Sequence, residues 1–160
     1  MKYFNELNHS MAKIVCKDDN ENVSSGTGFV VAIHENEKTH NPILVTNKHV
    51  VENKSEIRIR LNIRNVDGTI SPQNHFDLLL PTQSHWYFHP DQDVDLCALP
   101  IGIYLNQQRN QGIDVVCKAI HSLVIPSKEE LINLDSVEDI IMIGYPIGIW
   151  DEYNNRPLFR

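Results

Sequence analysis

Long apolar runs are missing from this 160-residue chain. No stretch approaches the roughly 18–20 residues that cross a bilayer as a helix, and Met1 to Ser10 (MKYFNELNHS) lacks the apolar core of a secretion signal. No membrane partner is expected, and the location expected is cytoplasmic. Cysteine is scarce: Cys16, Cys97 and Cys117 are odd in number, far apart, and each lies among apolar residues rather than in a C-x-x-C pair. They read as reduced core thiols. Positive charge is in deficit, with 14 Lys+Arg against 21 Asp+Glu and a formal net charge of −7. Without a basic block the chain offers no phosphate-neutralising surface, so no nucleic-acid partner is expected. Glycine (7) and proline (8) are too few for a collagen-like or low-complexity chain.

What is there suits a soluble β-rich domain. The clearest signal is Glu56 to Arg64 (EIRIRLNIR), where Ile57, Ile59, Leu61 and Ile63 alternate with Arg58, Arg60, Asn62 and Arg64. Strict period-two alternation predicts a strand that buries one face. Asp67-Gly68 then supplies the positive φ of a hairpin turn, and Phe76 to Leu80 can return alongside. Further strands are expected at 11–16, 29–33, 42–46, 85–88 and 95–101, with polar loops at 18–25 and 34–41. Gly26-Thr27-Gly28, ahead of FVVAI, suggests a strand whose start needs a bulge or a close backbone approach. Many short strands at this spacing argue for an all-β barrel or sandwich.

The pattern changes after Ile101. Residues 105–136 read as a connector in which Ser127 and Glu130 form a capping box before a short helix ending near Leu134. Ile140 to Ile143 is an apolar strand stopped by Gly144-Tyr145-Pro146. The expected organisation is a β-barrel over 1–104, the connector over 105–136, and the beginning of an incomplete second unit over 137–160. An apolar strand without its neighbours should pack on the first unit, pair with a second copy or aggregate, so self-association through Ile140–Ile143 is expected.

Two residues invite chemistry. His49 lies where the strand LVT gives way to Asn47-Lys48-His49, a position that suits a cleft and equally a surface turn. Asp95 is delivered by the acidic loop Asp91-Gln92-Asp93-Val94 straight into the apolar Leu96-Cys97-Ala98-Leu99. Such a carboxylate is expected to be partly buried and to seek a hydrogen-bond donor such as an imidazole, unless it only caps the turn of Asp91 and Asp93.

Three segments together resemble the trypsin-like, chymotrypsin-fold serine peptidases of prokaryotic type: Gly26-Thr27-Gly28-Phe29-Val30-Val31, Thr46-Asn47-Lys48-His49-Val50-Val51, and Asp93-Val94-Asp95-Leu96-Cys97-Ala98-Leu99. Their order, the 46 positions between His49 and Asp95, Trp86 to Pro90 and Gly144-Tyr145-Pro146 all match the family pattern. The resemblance implies a two-barrel fold represented by its first antiparallel barrel, the connector and the start of the second. It implies a serine endopeptidase acting on a peptide or protein through an acyl-enzyme, with His49 as general base and Asp95 as the group that orients it. No cofactor is implied.

The nucleophile is missing from these 160 residues. The family's serine sits in a Gly-x-Ser-Gly turn late in the chain, and only Ser122, Ser127 and Ser136 follow Asp95, none flanked by glycine. Cys117 has the β-branched flank of a buried strand. General-base catalysis alone supplies about 10²–10⁴-fold, too little for amide hydrolysis. The chain alone is therefore expected to be inactive, the serine and oxyanion hole being supplied elsewhere, and a non-catalytic peptidase-like binding module is the alternative. A metal is not expected either. His85 and His89 lie ~13 Å apart along a strand, and the loop with Asp91, Asp93 and Asp95 lacks the glycine and glutamate of a calcium loop.

Overall fold

Backbone pairing carries the alternation of residues 56–64 into a mostly antiparallel sheet in a computed structural model describing residues 7–36, 39–81, 84–121, 124–135, 139–146, 151, 153 and 155–160. Its strands are β1 (Met11–Lys17), β2 (Val23–Asn36), β3 (Thr39–Thr46), β4 (Glu56–Arg64), β5 (Ile70–Leu79), β6 (Tyr87–Phe88), β7 (Cys97–Pro100), β8 (Val115–Val116), β9 (Ile120–His121), β10 (Ile143–Gly144) and β11 (Leu158–Phe159). Helices α1 (Lys48–Val51), α2 (Gly102–Asn110) and α3 (Lys128–Ile132) punctuate them. The sheet runs β5-β4-β1-β2-β3-β7-β6, with β8 added to β4 and β9 added in parallel to β2.

On β4, Ile59 and Leu61 are buried and join Ala12, Ile14, Val30, Leu44, Leu78, Leu80 and Leu99 in one core. Strand β5 at one end of the hydrogen-bonded path and β7, next to its other end, both feed this cluster, so the sheet curls around it. Among the described residues no ladder joins β5 to β6. The fold is all-β in character, and among the described residues the sheet curls without closing on itself.

The opposite face of β4 is also partly covered, contrary to the expectation of one buried face. Arg60 is paired across the strand with Asp77 through two 2.7 Å bonds, Nε to Oδ1 and Nη2 to Oδ2. The bonded guanidinium holds the Asp77 carboxyl below its ordinary range. Beside it, Asn155 Nδ2 donates to Asn62 Oδ1 at 2.5 Å, and the buried Tyr145 donates its hydroxyl to the Asn155 carbonyl at 3.3 Å. The β10–β11 pair thereby docks on the first sheet through Tyr145 and Asn155, one of the three outcomes expected of this segment. Its ladder is lengthened by reciprocal bonds between Met142 and Arg160, while the side chains of Ile140, Ile141 and Met142 stay exposed.

Other differences from the sequence reading have simple causes. β2 and β3 extend to Asn36 and from Thr39, through residues expected to form a polar loop, because a backbone ladder needs no apolar side chains. At the β4–β5 turn only Gly68 adopts positive φ (82°), with its N–H bonded to the Asn65 carbonyl. Strands expected at 85–88 and 95–101 shorten to β6 and β7, leaving Asp95 in a loop. Within the stretch read as connector, β8 and β9 join the first sheet, and α2, a helix with no buried residue, runs across its expected start at 105. The capping box of α3 forms as expected: Glu130 N–H donates to Ser127 Oγ at 3.2 Å and Ser127 N–H to Glu130 Oε2 at 2.7 Å.

Candidate active site

The register of β3 against β7 brings His49 and Asp95 together. Thr46 pairs with Cys97 at the end of the ladder, so the residues just after Thr46 and just before Cys97 emerge side by side. Chain reversal through the single turn of α1 then turns His49 back toward the acidic loop. His49 Nδ1 lies 2.5 Å from Asp95 Oδ2, and the His49 backbone N–H donates to Asp95 Oδ1 at 3.1 Å. Both carboxylate oxygens therefore engage one residue. The imidazole bond, ahead of the backbone N–H groups, holds the Asp95 carboxyl below its ordinary range.

The small residues Gly26-Thr27-Gly28, which lie inside β2 because the strand already begins at Val23, explain how α1 can sit where it does. A Cβ on Gly26 would lie 2.6 Å and 2.7 Å from the two methyls of Val50, the residue after His49. One on Gly28 would lie 2.7 Å from Leu44 Cδ1. Gly26 lets the His49-bearing turn approach the strand, and Gly28 lets the core close. Between them Thr27 ties three elements together: its carbonyl accepts from Thr46 Oγ1 at 2.8 Å, and its Oγ1 accepts from Tyr145 N–H at 2.7 Å. The close backbone approach expected here is thus present at both glycines.

Asp95 is less buried than expected. Its side chain is 46% exposed and that of His49 is 71% exposed, so the pair faces solvent. The capping role considered for Asp95 falls instead to Asp91, whose Oδ1 accepts from Asp93 N–H at 3.0 Å. With Nδ1 engaged, Nε2 is the imidazole nitrogen open to a reacting proton.

The other residues weighed from the sequence do not converge on this pair. Ser127 serves its helix cap, whereas Ser122 and Ser136 lie outside the described residues. Cys16 and Cys97 are buried, and desolvation pushes each thiol up to about 11. Cys117 is half-buried and is pushed up to about 12 by the same cause, so no cysteine here offers a thiolate near neutral pH. Among the described residues no three His, Cys, Asp or Glu side chains gather as a metal site; His89 Nδ1 instead accepts from Asp91 N–H. A groove of about 850 Å³ between α2 and β3, reached by Cys117 and Arg109, is lined by neither His49 nor Asp95.

Sequence reasoning named Asn47, Lys48 and Thr27 only as members of matching segments and gave them no role of their own. Asn47 Nδ2 donates to the Asp95 carbonyl at 2.7 Å, and Lys48 Nζ donates to the Asp91 carbonyl at 3.0 Å. Comparison with protein-family models and with curated proteins finds no match for this chain. Among the described residues no helix is long and apolar enough to cross a membrane.

Proposed function

We propose that His49 and Asp95 are the general base and its orienting carboxylate in a trypsin-like serine endopeptidase, with the curled sheet as the first barrel of that fold. The observation that carries the reading is the Nδ1–Oδ2 contact of 2.5 Å, which points the imidazole tautomer the right way and leaves Nε2 free. A serine hydroxyl is a poor nucleophile until a base takes its proton. In the proposed reaction a serine from outside these 160 residues attacks the peptide carbonyl while Nε2 accepts the hydroxyl proton. The imidazolium, steadied by Asp95, returns that proton to the leaving amine, and water then hydrolyses the acyl-enzyme with Nε2 again as base.

The 160-residue chain by itself then hydrolyses no peptide, and turnover by it that disappears in His49→Ala would refute this. Labelling the protein expressed from its complete coding sequence with a serine-reactive phosphonate probe tests the wider reading. An adduct on a glycine-flanked serine, absent from His49→Ala, supports the peptidase. No adduct favours the second reading, a peptidase-like module that binds a partner without cleaving it. That alternative draws on the lack of any glycine-flanked serine after Asp95 within the chain and on three thiols that burial disfavours as thiolates.

A further inference from the structure

Asn47 stands at the N-cap of α1 with extended backbone (φ −78°, ψ 146°), where an asparagine side chain ordinarily accepts a bond from the first turn of its own helix. It makes no such bond. Its Nδ2 reaches across to the carbonyl of Asp95, 48 positions away, at 2.7 Å. Lys48 reaches the Asp91 carbonyl and His49 takes the Asp95 carboxylate, so three consecutive residues each grip the acidic loop.

The grips are not equivalent. His49 holds Asp95 only through the carboxylate, the group whose charge the proposed reaction uses. Asp95 lies two residues beyond the last ladder pair, Thr46 with Cys97, and both side chains of the pair are open to competing water. Asn47 fixes the backbone of Asp95 without occupying either carboxylate oxygen. We infer that Asn47 is a positioning residue for the His49–Asp95 pair, acting through the Asp95 main chain. This inference rests on the catalytic reading of the pair, but its test reads the geometry of the pair and not peptide cleavage.

The test uses the 160-residue chain, observed by NMR through the hydrogen-bonded Nδ1 proton of His49 and through a carboxyl-carbon titration of Asp95. Lys48, Asp91 and Asp93 share this surface and are left unaltered. A net hydrogen bond of ordinary strength changes the paired population by a factor of about 2–10. Asn47→Ala should therefore weaken the Nδ1 proton signal and move the Asp95 midpoint up by about 0.3–1 pH unit, toward the ordinary carboxylate value. Asn47→Ser separates the two roles, because serine is an excellent N-cap but is too short to reach Asp95. It should behave like alanine in the Asp95 titration even where urea denaturation finds the fold intact. An unchanged midpoint in both variants, or recovery in Asn47→Ser, would overturn the inference and leave Asn47 a helix cap. Failure of phosphonate labelling with the midpoint shift intact would instead discard the peptidase and keep the positioning role.

Discussion

Replacing Gly26 with alanine puts the link between strand β2 and the His49 turn to the test. The added Cβ would lie 2.6 Å and 2.7 Å from the Val50 methyls and 3.3 Å from its Cβ. Rotating Val50 clears at most one methyl, since a β-branched side chain has few χ1 choices. Helix α1 must therefore shift. Overpacking of this kind costs about 1–3 kcal/mol, and a chain of this size loses about 2–4 °C in Tm per kcal/mol. Because Val50 follows His49 directly, the same shift should lengthen the Nδ1–Oδ2 bond and weaken its NMR proton signal. Val50→Ala alone should cost about 1–2 kcal/mol for the buried methyls it removes. If the clash is with those methyls, Gly26→Ala/Val50→Ala will be less destabilised than the sum of the singles, by about 0.5–3 kcal/mol in urea denaturation followed by circular dichroism. Additive effects, or a Gly26→Ala variant with undiminished stability and an intact Nδ1 signal, would refute the proposed reason for glycine here.

Other predictions follow from burial and charge. Burial, reinforced by Lys118, Arg156 and Arg64, lowers the pKa of His9 from 6.5, so the unfolded chain binds a proton that the folded chain resists. Stability should fall as pH drops below about 6.5, and His9→Gln should flatten that part of a Tm-against-pH curve. The Asp95 carboxyl is lowered as well: its pairing with His49 should persist below the ordinary carboxylate range and vanish as pH falls through the lowered value, followed by the Nδ1 proton signal. Cys117, pushed up to about 12, should react with iodoacetamide at pH 8 far more slowly than a free cysteine, until urea exposes it. Arg60→Ala should leave Asp77 without its bidentate partner and cost about 1 kcal/mol in urea denaturation, more than Arg58→Ala, whose ion pair is more exposed.

How much was legible in the sequence depended on how local the signal was. The alternation of residues 56–64 and the capping box at Ser127 are written within a few neighbours, and both appear where expected. Helix α2 was not legible, because GIYLNQQRN buries no residue and carries no apolar stripe to betray it. The two-residue strands β8, β9 and β11 gave no periodicity to read, since they owe their conformation to distant ladder partners, and the apolar run Ile140–Ile143 overlaps β10 only at Ile143. Asp95 was picked out correctly as the partner of His49, but its exposure was misjudged, since no local feature reveals how far a loop projects from the strand behind it.

By itself the sequence determined the chemistry available: an imidazole after a strand, a carboxylate before another, two glycines ahead of the apolar run FVVAI, cysteines among apolar residues, and no glycine-flanked serine after Asp95. Period-two patterning also determined a β-rich fold, because side-chain alternation is a property of the strand itself. Only the tertiary structure decided that Thr46 stands opposite Cys97, and with it that His49 reaches both oxygens of Asp95. It alone decided that Asn47 serves the acidic loop in place of its helix and that Thr27 joins the hairpin to the His49 strand. These are contacts between residues about 20 to 120 positions apart, set by the register of a whole sheet, which no short stretch of sequence encodes.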